Sequence, residues 1–343
     1  MATEYRFSFG PWNLHEGADP FGPAVRQPRS LAEKLDIAVR LGFQGIQFHD
    51  DDVVPADAGP AETERGVAEV RRLLDDRGLA PEFIAPRLWE DPRTIDGAVT
   101  SNRASDRQYA LDRSRRAVDI ARMIGTRNIV WWPAREGTYV REAKDPVAAL
   151  DRMLEYANAL LAHDREIRLL GEMKPNEPMD LTFCPTTGHF VGLCCRTADP
   201  ARAGVLIESA HAILAGLDPS EEFAYALWHG KLWSVHLNDQ DGLKFDQDKA
   251  FGAVNLRRAF NQVDVLERAG YGRNGEFVGL DVKAMRTQPQ EIAWKHLQTS
   301  KETFLALVEV SRRIDRQEWR SFIEARDYEG LEQFILRALM GVR

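Results

Sequence analysis

Cysteine, long hydrophobic runs and blocks of positive charge are all scarce in this 343-residue chain. The three cysteines (Cys184, Cys194 and Cys195) are an odd number without the spacing of a metal finger, so we expect reduced thiols in a cytoplasmic protein. No apolar stretch approaches the length of a transmembrane helix, and the N-terminus lacks the basic start and apolar run of a signal peptide. We therefore expect no membrane partner.

The charge pattern also argues against a nucleic-acid partner. The formal net charge is -8, and no lysine- or arginine-rich block stands out. No glycine-rich phosphate turn follows the first predicted strand, which disfavours a dinucleotide-binding fold. We expect no nucleotide cofactor.

What the chain does contain is a regular alternation of short β-like runs and amphipathic helical segments. The first helical segment begins after Ser30, which we predict to be its N-cap. Each strand is followed by a helical segment, a pattern that predicts a parallel sheet. The eight predicted strands are residues 5–10, 45–49, 81–85, 128–132, 167–173, 204–208, 232–238 and 276–283.

Eight strand–helix units favour a closed (β/α)₈ TIM barrel, an α/β fold, over an open sheet. We assign this catalytic barrel to residues 1–313. The remaining residues, 314–343, are predicted to form a short C-terminal helical tail that packs on the barrel or on another subunit.

Polar side chains recur where the predicted strands end, which is the face that carries the active site of a TIM barrel. Side chains two apart on a strand share a face, so Glu172 and Lys174 can point inward together. The other polar or aromatic candidates at strand ends are His49, Asp50, Asp51, Asp52, Trp132, Glu208, His211, His236, Asn238, Asp246, Asp248, Asp281 and Lys283.

Five of these candidates are carboxylates that would converge on one mouth: Glu172, Glu208, Asp246, Asp248 and Asp281. Such a group repels itself strongly unless cations are present. Oxygen ligands with one or two imidazoles suit Mg²⁺, Mn²⁺ or Co²⁺.

Each residue also has a plain structural interpretation. The run of three aspartates is typical of a solvated loop or a helix cap, and His49 could be a hydrogen-bonded core histidine. Trp132 could simply pack, and "KFDQD" could be a surface turn. The recurrence of these groups at the end of strand after strand favours a functional site.

Five segments resemble, in order and spacing, the signature segments of xylose isomerase, in particular the short class I type of actinobacteria. They are "FHDDDVVP", "WWPAREG", "EMKPNEP", "KLWSVHLNDQDGLKFDQDKAFG" and "DVKAMRT". The similarity spans roughly residues 5–310. The resemblance implies a metal-dependent aldose–ketose isomerase that opens a cyclic sugar and moves a hydride between C1 and C2.

The resemblance implies a role for each matching residue around the sugar. His49, oriented by Asp52, would assist ring opening, and Lys174 would donate to the carbonyl oxygen of the open chain. Trp132 would form an apolar wall, and Lys283 would lie behind the carboxylates.

The resemblance also implies two divalent cations. Glu172, Glu208 and Asp281 would hold the first ion, while His211, Asp246 and Asp248 would complete the second site, to which Glu208 bridges. Where the family has a further aspartate ligand of the first ion, this chain has His236. An imidazole there removes one negative charge and shifts the preference towards Mn²⁺, Co²⁺ or Zn²⁺.

Other departures alter the pocket. In "FIAPRLWEDP", Ala85 and Arg87 stand where small polar sugar-binding residues are expected, and Trp89 replaces a phenylalanine. A tryptophan of the family's N-terminal loop is absent, and His15 and Glu16 stand there. Arg87 suggests a charged sugar, such as an acid or phosphate derivative.

Phe21, in "DPFG", resembles the aromatic residue that this family inserts into a neighbouring subunit's site. The long C-terminal arm that wraps a partner in the family is largely absent from this sequence. We therefore expect a homodimer or a homotetramer.

Three hypotheses remain open from the sequence. The first is the aldose–ketose isomerase, with a small sugar as substrate. The second is an isomerase or epimerase of a modified sugar in the same two-metal site, with little activity on xylose. The third is a metal- or sugar-binding protein without activity, for which the retention of His49, Asp52 and Lys174 has no physical reason.

Overall fold

Eight parallel strands form a closed barrel in the computed structural model, which describes residues 3–243 and 245–342. Each strand pairs with its neighbour along the chain, and the last strand pairs with the first. The predicted (β/α)₈ fold is confirmed. The barrel strands are β1 (Arg6–Phe9), β2 (Gly45–His49), β3 (Ala80–Ala85), β4 (Asn128–Trp131), β5 (Arg168–Glu172), β6 (Ala203–Glu208), β7 (Leu232–Leu237) and β8 (Phe277–Leu280).

Helices surround the barrel, and several are short extra turns at strand ends. Ser30 caps the first helix as predicted, because its side chain accepts from Glu33 N and the Glu33 carboxylate accepts from Ser30 N. The helices are α1 (Leu31–Arg40), α2 (Asp50–Val53), α3 (Pro60–Asp75), α4 (Ala104–Ile124), α5 (Pro146–His163), α6 (Thr187–Arg196), α7 (Ser209–Leu214), α8 (Pro219–Trp228), α9 (Leu256–Ala269), α10 (Lys295–Arg313), α11 (Arg316–Ala325) and α12 (Tyr328–Met340).

The barrel interior contains a polar layer near its floor. Ser8 Oγ, Ser234 Oγ and Gln47 Nε2 all donate to the buried carboxylate of Glu82, the last two across 2.7 and 3.0 Å. Because these contacts commit the amide nitrogen of Gln47, its carbonyl oxygen is turned towards the mouth of the barrel.

Five strands are shorter than the sequence predicts, and two of these differences affect the site. β4 ends at Trp131, and β8 ends at Leu280. After β8 the backbone leaves the sheet, because Val282 N donates to Asn13 Oδ1 (2.7 Å) and Lys283 N donates to the Asp248 carbonyl (2.7 Å). Asp281 therefore follows its strand directly instead of lying within it.

The C-terminal tail is helical, as predicted, and α11 and α12 lie against the barrel. Trp319 of α11 stacks on Phe260 of α9 with ring centroids 6.5 Å apart, and Ile335 of α12 is buried. Within the part of the chain that the structure describes, we find no helix with the length and apolar character needed to cross a bilayer.

Candidate active site

A cavity of about 300 Å³ opens at the carboxyl ends of the strands. Most of the ionisable residues predicted from the sequence line it, together with aromatic side chains. The lining residues are Trp12, His49, Phe83, Ala85, Arg87, Trp89, Glu90, Val130, Trp132, Glu172, Glu208, His211, His236, Asp246, Asp248, Asp281 and Lys283. A larger cavity, of about 820 Å³, lies at the opposite end of the barrel and is lined by residues such as Arg127, Arg168 and Trp233. The clusters of metal-ligand type described below lie at the mouth, so we treat the mouth as the candidate active site.

A first cluster combines Glu172 at the end of β5, Glu208 at the end of β6 and His236 on β7. His236 Nδ1 lies 3.3 Å from Glu172 Oε1 and 3.8 Å from Glu208 Oε2. Asp281 Oδ2 approaches the same nitrogen to 3.9 Å. All three members of the cluster are buried.

The tautomer of His236 suits a metal ligand. Its Nε2 lies 3.1 Å from Gln47 Oε1, which can only accept, so the hydrogen is on Nε2 and the Nδ1 lone pair faces the carboxylates. Nδ1 is buried and has no hydrogen-bond partner among residues 3–243 and 245–342. With no cation present, burial disfavours the imidazolium, but the neighbouring Glu172 carboxylate outweighs this and raises the pKa of His236 well above its usual range. A positive charge beside Nδ1 would therefore stabilise both this lone pair and the surrounding carboxylates.

A second cluster shares Glu208 with the first. His211 Nε2 lies 3.3 Å from Glu208 Oε1 and 3.1 Å from Asp246 Oδ2. Asn238 holds the cluster in place, since its Nδ2 donates to Glu208 Oε1 (2.8 Å) and to Asp248 Oδ1 (3.0 Å). Two buried atoms here, His211 Nδ1 and Asp246 Oδ1, have no hydrogen-bond partner within the described part of the chain.

Two lysines balance the crowded acids. Lys174 Nζ is ion-paired with Asp246 and lies 3.6 Å from Glu177, while Lys283 Nζ is ion-paired with Asp248. Burial and the nearby Asp246 carboxylate together raise the pKa of Asp248 to about 8. Burial raises the pKa of Asp246, but Lys174 and His211 outweigh it, so that pKa lies well below its usual value.

The residues at the mouth fit divalent cations. Among the residues that the structure describes, three buried ligand atoms have no hydrogen-bond partner: one nitrogen each on His211 and His236, and one oxygen on Asp246. Oxygen and imidazole donors of this kind suit Mn²⁺, Co²⁺, Zn²⁺ or Mg²⁺.

His49, Asp51 and Asp52 form a third group of potential ligands, but guanidinium cations already occupy it. Arg87 Nε donates to Asp51 Oδ1 across 2.8 Å, and Arg113 Nη2 lies 3.0 Å from Asp51 Oδ2. His49 Nδ1 lies 3.2 Å from Asp52 Oδ2, and the orientation of His49 by Asp52 stays a prediction. The three aspartates begin helix α2 and are tied to arginines rather than free in a solvated loop.

Aromatic side chains wall the cavity. Trp89 packs edge-on against Trp132 with centroids 4.6 Å apart, and Trp132 stacks on His211 at 6.3 Å. The side chain of Lys174 is 2 % exposed and lies behind Trp132, with Nζ 5.4 Å from the ring centroid. Its predicted hydrogen bond to a substrate stays a prediction. Phe21 is 89 % exposed and does not line this cavity, so a role at the site requires a neighbouring subunit.

The comparison with protein families fits this geometry. Residues 35–292 match the family described as "Xylose isomerase-like TIM barrel". The chain belongs to this family.

Solved structures of low sequence identity share the fold of this family member. L-ribulose 3-epimerase is 14% identical, with 90% of this chain and 96% of that chain covered and a TM-score of 0.64. The 3-keto-D-glucoside 4-epimerase from E. coli is 12% identical, with 87% of this chain and 100% of that chain covered and a TM-score of 0.63. The IOLI protein, solved with a zinc atom bound, is 13% identical, with 90% of this chain and 100% of that chain covered and a TM-score of 0.62.

Sequence analysis missed two residues that shape the site of this xylose isomerase-like barrel. Trp12, in the short 3-10 helix after β1, lines the cavity and donates from Nε1 to Asp281 Oδ1 (3.0 Å). Gln47 on β2 fixes His236. The only signal for Gln47 was a polar residue inside an apolar strand, and Trp12 lay in a segment whose expected tryptophan we considered absent.

Proposed function

We propose that this protein is a divalent-metal-dependent aldose–ketose isomerase, xylose isomerase-like, that interconverts an open-chain aldose and its 2-ketose by a 1,2-hydride shift. The observation that carries the proposal is Glu208, which belongs to two neighbouring groups of potential ligands, one with His236 and one with His211. Two cations at these positions, when bound, would polarise two adjacent sugar oxygens and stabilise the alkoxide that develops.

The chain's own residues complete this chemistry. The indoles of Trp12, Trp89 and Trp132 line the cavity and exclude water from the carbon atoms between which the hydride moves. Lys174 keeps Asp246 ionised, and Lys283 holds the Asp248 carboxyl group in place beside the second group of ligands.

An epimerase of a modified sugar is the second candidate. Lys174 and Lys283 already supply positive charge to Asp246 and Asp248, which favours one cation at Glu172, Glu208, Asp281 and His236 over two. Proton removal and return beside a carbonyl needs only one such ion together with carboxylate bases. The shared fold with L-ribulose 3-epimerase and 3-keto-D-glucoside 4-epimerase supports this alternative.

One experiment separates the two reactions. The protein, loaded in turn with Mg²⁺, Mn²⁺ and Co²⁺, is incubated in D₂O with xylose, glucose and related aldoses and 2-ketoses, and the products are read by NMR. A hydride shift moves the substrate's own hydrogen and gives an isomer without deuterium, whereas proton abstraction gives an epimer that carries solvent deuterium at the inverted carbon. If no sugar gives a product with any of the three ions, both proposed functions are wrong.

A further inference from the structure

Arg87 lines the cavity with each of its guanidinium nitrogens engaged by protein. Nε donates to Asp51 Oδ1 (2.8 Å), and Nη1 donates to Glu90 Oε1 (3.1 Å). Nη2 lies 2.7 Å from Nδ1 of His49. This arrangement leaves Arg87 poorly suited to capture the anionic group of a sugar, which was the role its position in the sequence suggested.

A second arginine fixes the position of Arg87. Arg113 is almost fully buried, and its Nε and Nη2 donate to the two carboxylate oxygens of Asp50 across 2.9 and 3.1 Å. Asp50 Oδ1 accepts from the backbone N–H of Arg87 (2.8 Å), and Arg113 also holds the far oxygen of Asp51 (3.0 Å). Both the backbone and the side chain of Arg87 are therefore anchored to one buried network.

The contact with His49 determines where the imidazole carries its hydrogen. A guanidinium has five N–H donors and no acceptor, and it does not lose its proton in proteins. Nδ1 of His49 must therefore accept from Arg87, and the hydrogen of neutral His49 is on Nε2. Asp52 Oδ2 lies 3.2 Å from Nδ1 and would favour the opposite tautomer, but the shorter contact of Nδ1 is the one with Arg87 (2.7 Å), and Asp52 Oδ2 accepts from the backbone N–H of His49 (2.8 Å).

Nε2 of His49 is the atom that can meet a substrate. The ring lies between the indoles of Trp12 and Trp89, with centroids 4.3 and 5.1 Å away, and His49 lines the cavity. Across residues 3–243 and 245–342, the hydrogen bonds include none to this nitrogen.

We propose that Arg87 is a positioning residue that fixes His49 as a hydrogen-bond donor through Nε2. Opening a ring breaks the O–H bond of the anomeric hydroxyl and the C–O bond of the ring, forms the carbonyl, and returns the proton to the former ring oxygen. A nitrogen that carries hydrogen has no lone pair with which to take the proton of the anomeric hydroxyl. It can donate a hydrogen bond to the ring oxygen as the C–O bond breaks, or to a carbonyl or alkoxide oxygen of the open chain. This inference rests on the proposed function for the sugar oxygen that His49 contacts, but the tautomer does not depend on activity.

The tautomer can be measured directly in the full-length protein without metal or substrate. Histidine is labelled with ¹⁵N, and long-range ¹H–¹⁵N spectra are recorded at about pH 8.5, two units above the ordinary histidine pKa. The loss of one signal set in His49→Gln assigns His49 among the eight histidines. We expect the pattern of an Nε2–H tautomer, and an Nδ1–H pattern in the unaltered protein would overturn the proposal.

Variants of Arg87 test whether Arg87 sets the tautomer of His49. Arg87→Met removes the donor, so Nδ1 of His49 should take up a hydrogen and donate it to Asp52, and Arg87→Lys should restore the Nε2–H pattern. Arg93→Met is the matched control, because Arg93 lies on the same loop and pairs with Asp91 (2.7 Å). A tautomer that is unchanged in Arg87→Met would show that Arg87 does not set it.

Kinetics test whether this hydrogen-bond donor contributes to turnover. In Arg87→Met, kcat/KM for a sugar that the protein converts should fall by at least about tenfold, because His49 no longer presents a donor to the sugar. Arg87→Lys should recover part of this loss, while Arg93→Met keeps the kcat/KM of the unaltered protein. An unchanged kcat/KM in Arg87→Met would refute the contribution to turnover. Inactivity on every sugar would contradict the proposed function, while the tautomer spectra would still decide the role of Arg87.

Discussion

Trp12 Nε1 donates a hydrogen bond to Asp281 Oδ1 across 3.0 Å and so ties the short helix after β1 to the end of β8. The other oxygen of Asp281 lies 3.9 Å from His236 Nδ1, on the side of the first ligand cluster. One indole thereby fixes which oxygen of the carboxylate is free for a cation.

Replacing Trp12 should weaken metal binding without unfolding the barrel. Because Trp12→Phe keeps an aromatic ring but loses the donor to Asp281, we expect the affinity for Co²⁺, measured by calorimetry, to fall by about 10–100-fold. Trp228→Phe is the control, since Trp228 is 80 % exposed and outside the cavity. Equal affinities in the two variants would show that the hydrogen bond has no part in metal binding.

Glu208, the carboxylate that both ligand clusters share, should control how many metal ions bind. If two ions bind, His211→Asn should lose only the second and His236→Asn only the first, whereas Glu208→Gln should weaken both. Bound Mn²⁺ is counted by elemental analysis after equilibrium dialysis. A protein that binds one ion, and is indifferent to His211→Asn, would favour the single-metal epimerase.

Asp248 should make the metal-free protein less stable as pH rises. Its pKa of about 8 in the folded state lies above the unfolded value of 3.8, so between these values the folded protein holds a proton that the unfolded chain has released. The resulting stabilisation is complete below about pH 4 and is lost as pH rises through about 8.

Asp248→Asn isolates this effect, because asparagine also tolerates the positive φ of 47° at this position. With a chelator present, the unfolding free energy of the unaltered protein minus that of Asp248→Asn should fall steadily from pH 4 to pH 8. Urea unfolding at a series of pH values measures it. A flat difference would mean that Asp248 is ionised throughout this range.

The C-terminal tail should add stability but no catalytic group. Of the tail residues that the structure describes, none lines the cavity at the mouth, whereas Trp319 covers Phe260 and Arg316 pairs with the buried Asp264. A chain that ends at residue 315 should fold and keep its kcat/KM, with an unfolding free energy about 2–4 kcal/mol lower because these contacts are lost. Loss of activity in a folded, shortened protein would contradict the division at residue 313.

Phe21 should matter only between subunits. The exposed ring would enter a neighbouring subunit's mouth in the proposed homodimer or homotetramer, so Phe21→Ala should raise KM by about tenfold and leave the melting temperature unchanged. Sedimentation determines the assembly. A monomeric protein whose KM is unaffected by this substitution would rule out the insertion.

Much of this architecture could be predicted because strand period and strand ends are local properties of the sequence. Glu172, Glu208 and His236 each follow or end an apolar run, and a closed parallel barrel brings such positions to one rim. The predicted cap at Ser30 depends on four consecutive residues and was likewise confirmed.

The orientation of those side chains could not be predicted in the same way. Gln47 selects the tautomer of His236 only because Glu82, from another strand, commits its amide nitrogen. The sequence suggests Arg87 as a contact for a charged sugar, but it gives no sign that Arg87 donates to Asp51, whose other oxygen is paired with Arg113. These contacts join residues far apart in the chain, and single-position patterns carry no trace of them.

The lysine partners of Asp246 and Asp248 have a consequence for how the protein is assembled in the cell. The two lysines neutralise part of the negative charge at the mouth, so the barrel can fold without a bound metal ion. A small zinc domain is unfolded without its ion, whereas this barrel should be fully folded before it binds a cation. We expect cation supply to govern how much of the protein is active rather than how much of it survives, and exchange of one cation for another to leave the scaffold intact.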